Sequence, residues 1–270
     1  MRTAATGRIA LPSAIVLLKI IVFVALGGAV VDVLAGESPA DHPGWRLTFH
    51  DEFDGDRLDR TKWNPYDPSG NGRNNELQAY VPDAFEVKDG ILRVVARQGD
   101  AVYAKKLRHY TSGMMTTDRK FSQEYGLFEI RSRIPKGKGL WPTFWLLPEP
   151  YSWPPEIDIL EFVCHDTKTP IFTHHWKDSA GKHQQDGMKC PGDVDYSKDF
   201  HVFSCEWSPA EIRWRVDGVE MFHSQQMIPK GKMFVLVNLA VGGDMPKSPD
   251  EHTPFPSSFD VDWVRCYAKE

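Results

Sequence analysis

No stretch of the 270-residue chain gathers lysine and arginine into a cluster, and the 32 basic and 37 acidic residues are mixed along it. That excludes the basic stripe with which nucleic-acid binders neutralise phosphate. No internal repeat or long low-complexity tract is present, which excludes solenoids and arrays. Histidine and cysteine nowhere fall at the spacing of a zinc site, so the sequence asks for no metal in its chemistry. Beyond the first 35 residues no long amphipathic helical pattern occurs, which excludes a helical bundle.

Uncharged apolar length is also scarce. The run Ile20 to Val31 is short for a membrane span, because Lys19 interrupts the apolar stretch. Arg2 and Arg8 precede it and Val33-Leu34-Ala35 follows, which is the layout of a signal peptide. Residues 1–35 are therefore expected to be the cleaved leader of a secreted or periplasmic protein. An uncleaved anchor, or a true start near Gly36, is the alternative. The formal net charge of −5 becomes more negative without the leader, which carries three basic residues and one acidic. A negative protein repels anionic polymers at long range, so a neutral partner is easier to accept.

Cysteine is limited to Cys164, Cys190, Cys205 and Cys266. An even number in an exported chain permits two disulfides in three pairings, and buried free thiols are an equal alternative. Cys205 and Cys266 lie inside strand-like segments, whereas Cys164 follows an acidic strand and Cys190 lies in a loop. Of the pairings, Cys164–Cys190 is favoured.

What the chain does have is alternation and aromatic residues. In Leu127–Ile134, Phe128, Ile130 and Ile134 fall on one face while Glu129, Arg131 and Arg133 fall on the other. Ile212, Trp214 and Val216 alternate in the same way with Glu211, Arg213 and Arg215. Asp217-Gly218 then turns the chain into 219–222. Further strands are expected at 91–97, 110–117, 141–147, 156–163, 171–176, 201–207, 233–241 and 259–267. Many short strands punctuated by 20 prolines and 21 glycines imply a single all-β sandwich or barrel over residues 42–270. Residues 64–75 and 178–199 are polar, glycine-containing and expected as surface loops near function.

The most informative segment is Glu156-Ile157-Asp158-Ile159-Leu160-Glu161. In a regular strand Glu156 and Asp158 share a face and Glu161 points away. A β-bulge around Ile159-Leu160 would return Glu161 to the acidic face and leave the back apolar. Three carboxylates held close repel, and at least one is forced to keep its proton. Cleavage of a glycosidic bond needs such a set, with one carboxylic acid as proton donor and one ionised carboxylate. Read alone, the strand is equally an ordinary solvated acidic face. Trp141 and Trp145, four residues apart, share a strand face and could stack on sugar rings, or they could be core. Leu140, Phe144 and Leu146 already supply an apolar side opposite them, which favours a cleft.

At this point the chain resembles glycoside hydrolase family 16, which includes laminarinases, lichenases and bacterial exopolysaccharide glycanases. The resemblance rests on the Glu-x-Asp-x-x-Glu strand together with Phe49–Gly55, Asn74–Gln78, Tyr110–Gly113 and Tyr125–Glu129. It continues through Pro135–Pro142, Asn238–Gly243 and Val261–Arg265. It implies a β-jelly-roll of two stacked antiparallel sheets with a glycan cleft across the concave face. Glu156 would be the nucleophile, Glu161 the general acid/base, and Asp158 the group that hydrogen-bonds and tunes the nucleophile. The chemistry would be double displacement with retention. Trp141, Trp145, Asn75 and His175 would bind substrate, although a lone histidine is as often structural, and the register among His174, His175 and Trp176 is open. No catalytic cofactor is implied. A structural calcium on the convex face would involve Glu52, Gly90 and Asp262. The implied partner is a polysaccharide, with no nucleic acid or protein partner, and the protein would be a monomer.

Two departures stand out. Met114 occupies the position where the laminarinase pattern carries an arginine, which removes a polar contact. Ser152-Trp153-Pro154-Pro155 looks more like the exopolysaccharide glycanases. A retaining endo-β-glycanase acting on β-1,3 or β-1,4 bonds is the leading expectation. A transglycosylase and a non-catalytic glycan-binding sandwich are the alternatives.

Overall fold

The alternating segments of the sequence all form strands. A computed structural model describes residues 42–270, so the expected leader lies outside the described residues. The strands are β1 (Trp45–Asp51), β2 (Gln78–Tyr80), β3 (Phe85–Lys88), β4 (Ile91–Tyr103), β5 (Lys106–Ser112), β6 (Met114–Thr116), β7 (Gly126–Arg133) and β8 (Leu140–Pro148). They continue with β9 (Glu156–Glu161), β10 (Ile171–Lys177), β11 (His183–Lys189), β12 (His201–Trp207), β13 (Ile212–Val216), β14 (Val219–Ser224), β15 (Met233–Val241) and β16 (Ser257–Lys269). Among the described residues there is no helix.

Two sheets form. Ten strands make the first, ordered β14-β13-β12-β7-β16-β4-β5-β2, with β1 added on β16 and β3 on β4. Six make the second, ordered β11-β10-β9-β8-β15-β6. The pairing is antiparallel except between β2 and β5, which run parallel. This is the expected all-β jelly-roll, with that one parallel pair as the exception. Apolar faces of the two sheets meet in a shared core. Phe172 of β10 lies 6.4 Å from Trp214 of β13, and Phe162 lies 5.8 Å edge-on from Phe203 of β12. In β7, Phe128 and Ile130 are fully buried, while Arg131 and Arg133 point outward to Asp262 and Asp260 of β16.

Three expectations change. The segment 110–117 is not one strand. It breaks at Gly113, where the chain passes from β5 of the ten-stranded sheet to β6 of the six-stranded one. A Cβ there would lie 2.8 Å from Phe85 and 2.9 Å from Val94, so only glycine fits the crossing. The segment 178–199 is not all loop, because it contains β11. Its residues, His-Gln-Gln-Asp-Gly-Met-Lys, are polar on both faces and mostly exposed, so an edge strand left no hydrophobic period to read. The expected Cys164–Cys190 disulfide is absent, and all four thiols are free. Cys164 is enclosed in the core beyond β9, while the Cys190 thiol donates to the Met221 carbonyl at 3.8 Å.

The loop 64–75 is as expected, and its ends are tied to the six-stranded sheet. Asn64 N donates to Thr116 O at 2.8 Å, and Leu77 N donates to Val241 O at 2.8 Å. This carries the loop to the β6–β15 side of the cleft.

Candidate active site

The acidic strand β9 sits in the middle of the six-stranded sheet, and its register contains the bulge that the sequence demanded. Asp158 stands opposite Trp145 of β8 and Thr173 of β10, while Glu161 stands opposite Thr143 and Ile171. Between those pairs β9 carries one residue more than either neighbour. The surplus turns Glu161 onto the face of Glu156 and Asp158, while Ile157, Ile159, Leu160 and Phe162 are all fully buried behind. From the other sheet, Trp214 Nε1 donates to the Asp158 carbonyl at 2.8 Å and pins the distorted strand.

The neighbours of each carboxyl differ. Glu156 Oε2 accepts from Trp153 Nε1 at 2.9 Å. Glu161 Oε1 accepts from Trp141 Nε1 at 2.9 Å. His175 is the cross-strand neighbour of Glu156, and its Nε2 lies 3.2 Å from Asp158 Oδ2 and 3.6 Å from Glu156 Oε1. His174 points the other way, into the core, where its Nε2 meets Ser224 Oγ at 3.0 Å. The register left open among His174, His175 and Trp176 thus resolves to His175.

Burial dominates the electrostatics. It pushes Glu161 up to about 8, with help from the charge of Asp158 and against the Trp141 hydrogen bond. It pushes Asp158 up to about 7, partly offset by a hydrogen bond shared with Glu156. Glu156 is raised well above its usual range, by burial and then by the charge of Asp158, with the Trp153 N–H offsetting part of the rise. Three carboxyl groups this close cannot all be ionised, so protons stay in the cluster at neutral pH. One proton shared between Asp158 and Glu156 leaves that pair a single negative charge, and the Trp153 N–H stabilises that charge when it lies on Glu156. Glu161 holds its own proton. The cluster can therefore present a nucleophile and an acid at once.

The cluster opens into a cleft of about 740 Å³. Trp141 and Trp145 both line it, as expected. Trp145 Nε1 donates to Asn238 Oδ1 at 2.8 Å, which fixes the indole plane, and Thr143 Oγ1 donates to the same oxygen at 2.7 Å. Asn238 Nδ2 donates to Tyr80 OH at 3.2 Å, and Tyr80 in turn donates to Glu76. Met114 is nearly buried in an apolar patch with Leu147, Tyr80 and Trp145, so the cleft is apolar at the position of the missing arginine. Asn75 is not brought to the cleft. Its amide is exposed and donates to Asp244 Oδ1 at 2.8 Å, and Asn74 lines the cleft instead. The two asparagines are consecutive in a loop with no period, and nothing in the sequence distinguishes them. Trp153, Asn238, Glu76 and His183 were missed as site residues. Trp153, Asn238 and Glu76 lie inside motifs named above, whereas His183 lies on the edge strand β11, which has no readable period.

Glu52, Gly90 and Asp262 do not offer calcium a set of free carboxylates. Arg265 forks Glu52 through Nε at 3.0 Å and Nη2 at 2.7 Å, and Arg131 holds Asp262. Both carboxylates are engaged by guanidinium groups, so an ion here would be held through backbone carbonyl oxygens such as that of Gly90.

A family description, glycosyl hydrolases family 16, matches residues 82–265. An endo-1,3-1,4-beta-glycanase of Rhizobium meliloti is 35% identical over 207 residues, covering 72% of this chain and 44% of that one. The chain spans about half the length of that glycanase and of a second one from the same organism, at 44% and 46%. A beta-glucanase of Rhodothermus marinus is 36% identical over 253 residues, covering 83% of this chain and 86% of that one. Among solved structures, a laminarinase catalytic domain of Thermotoga maritima superposes with a TM-score of 0.75 at 34% identity, covering 84% of this chain and 99% of that one.

Proposed function

Because the chain belongs to glycosyl hydrolase family 16, we propose that it is a retaining endo-β-glycanase cutting internal β-1,3 or β-1,4 bonds of a polysaccharide. One observation carries the reading: the bulge in β9 that turns Glu161 onto the face of Glu156 and Asp158. A binding module on the same sandwich has no use for three buried carboxyl groups on one strand, because they destabilise it for no gain in sugar contact.

The steps follow from the neighbours. A sugar chain lies in the cleft against Trp145, with its scissile bond over β9. Glu156, ionised, attacks the anomeric carbon while Glu161 gives its proton to the departing oxygen. Asp158 keeps the pair's proton and hydrogen-bonds the nucleophile. In the covalent glycosyl-enzyme Glu161 is ionised and takes a proton from water, which displaces Glu156 with a second inversion. The result is net retention. The activities of the relatives favour a β-glucan as substrate, and the apolar position at Met114 favours a sugar with fewer charged contacts there. Export to the periplasm or the medium, where such polymers are met, fits the expected leader.

The test is a product assay on laminarin, mixed-linkage β-glucan and a bacterial exopolysaccharide, with Glu156→Gln as control. Short oligosaccharides from one polymer, absent with the variant, are the expected result. Binding without products from any polymer would turn the reading to a glycan-binding protein. A transglycosylase would instead yield products longer than its oligosaccharide donors.

A further inference from the structure

His183, on the edge strand β11, makes no direct contact with Glu156, Asp158 or Glu161, yet it is joined to them through one ring. His175 Nδ1 and His183 Nε2 are 2.9 Å apart, and the ring centroids are 5.1 Å apart with 23° between the planes, so the rings meet nearly edge to edge. On its other side His183 packs against Trp153, at 4.9 Å. Trp153 is the residue whose N–H reaches Glu156. Trp153, His183 and His175 therefore form a continuous aromatic wall that begins and ends on the carboxylate cluster.

A hydrogen bond between two imidazole nitrogens contains one hydrogen. Which ring supplies it is settled at the other end of His175. There Nε2 faces Asp158 Oδ2 and Glu156 Oε1, which are carboxyl oxygens. A carboxylate oxygen only accepts, so where the pair's negative charge faces His175 that nitrogen carries a hydrogen and donates it. In a neutral His175 the Nδ1 atom is then bare, and the shared hydrogen comes from His183 Nε2. The bond made by one imidazole nitrogen thus fixes what the other presents.

We propose that His183 is a positioning residue, which holds His175 as the neutral ring with its Nε2–H aimed at the Asp158–Glu156 pair. Without His183, His175 can turn over or move its hydrogen to Nδ1. Either change presents a lone pair to the carboxyl groups and removes the donor that helps Glu156 and Asp158 share a single charge. The groups facing His175 are Glu156 and Asp158 from β9, His183 from β11 and Trp153 from the β8–β9 loop, and His183 is the one that can settle its tautomer.

The kinetic arm rests on the hydrolase reading, and the spectroscopic arm does not. His183→Phe keeps a ring against Trp153 and removes the nitrogen, while His183→Gln retains an amide donor. Nitrogen-15 spectra of histidine-labelled protein at neutral pH should show His175 as the Nε2–H tautomer in wild type and as a mixture in His183→Phe. On a cleaved polymer, His183→Phe should lower kcat about tenfold with KM held within about twofold, and His183→Gln should recover most of the loss. Combined with His175→Ala, His183→Phe should add nothing further. An unchanged tautomer in His183→Phe, a doubly protonated His175 in wild type, or additive losses in the double variant would each overturn the proposal. If no polymer is cleaved by wild type, the hydrolase reading fails and the spectra still decide the role of His183.

Discussion

The two outer faces of the sandwich treat acidic residues in opposite ways. On the ten-stranded sheet most acids have an arginine, and Glu129, paired with His42 and raised by burial, is an exception. Glu52 pairs with Arg265, Asp260 with Arg133, Asp262 with Arg131, and Glu206 with Arg215. Glu211 and Glu220 share Arg213, whose hydrogen bonds hold both carboxyl groups below their usual range. On the six-stranded sheet Glu156, Asp158 and Glu161 have no arginine, and all three are raised. The same residue types sit on β-sheet faces of one domain. What differs is the company they keep, and it separates acids that hold the fold together from acids that strain it, which are the ones the proposed function sets to react.

Removing the strained set should have the largest effect. Glu156→Gln should lower kcat on any cleaved polymer by at least about 10³-fold, with the fold intact by circular dichroism. Glu161→Gln should cost about 10²–10⁴-fold, least for substrates with good leaving groups that need little protonation. A smaller loss at Glu156 than at Asp244, which lies outside the cluster, would erase the distinction between the faces.

The stability consequence has a definite sign. The folded pKa of Asp158, about 7, and that of Glu161, about 8, lie above the ordinary carboxylate range of the unfolded chain. The folded state therefore binds more protons between pH 4 and 8, so their stabilising contribution is full at low pH and is lost as pH rises through those values. Glu161→Gln escapes that loss. It should melt above wild type at pH 8 and no higher at pH 4, with each ~1 kcal/mol raising Tm by about 2–4 °C. Arg265→Met tests the opposite face. It leaves Glu52 with the exposed His50 as its partner and should lower Tm by a few degrees, for a loss of about 1–3 kcal/mol, with kcat unchanged. The smallest effect concerns calcium: with Glu52 and Asp262 held by arginines, chelation should shift Tm little, and a large fall would show an ion bound there through backbone carbonyls.

Much of this was legible in the chain. The strict alternation in β7 and β13 and the Asp217-Gly218 turn were read correctly, because a half-buried strand writes its two faces into its sequence. The bulge was legible for the same reason. Glu161 is out of phase with Glu156 and Asp158, and only an extra residue reconciles the acidic face with the apolar back. The unread parts lack such a signal. The edge strand β11 is polar on both sides, so neither it nor His183 could be placed. Gly113 looked like the middle of a strand because a change of sheet depends on packing against Phe85 and Val94. Asn74 and Asn75 differ only in where a loop of positive-φ residues points them. The disulfide expectation failed because an even cysteine count says nothing about which thiols the core encloses.

The most direct measurement follows the anomer released in the first seconds of cleavage by proton NMR, on whichever polymer the wild-type enzyme cuts. Two inversions, one at Glu156 and one at the water activated by Glu161, predict that the β-anomer appears first and then mutarotates to the mixture. An α-anomer appearing first would mean a single inversion and would contradict Glu156 as nucleophile.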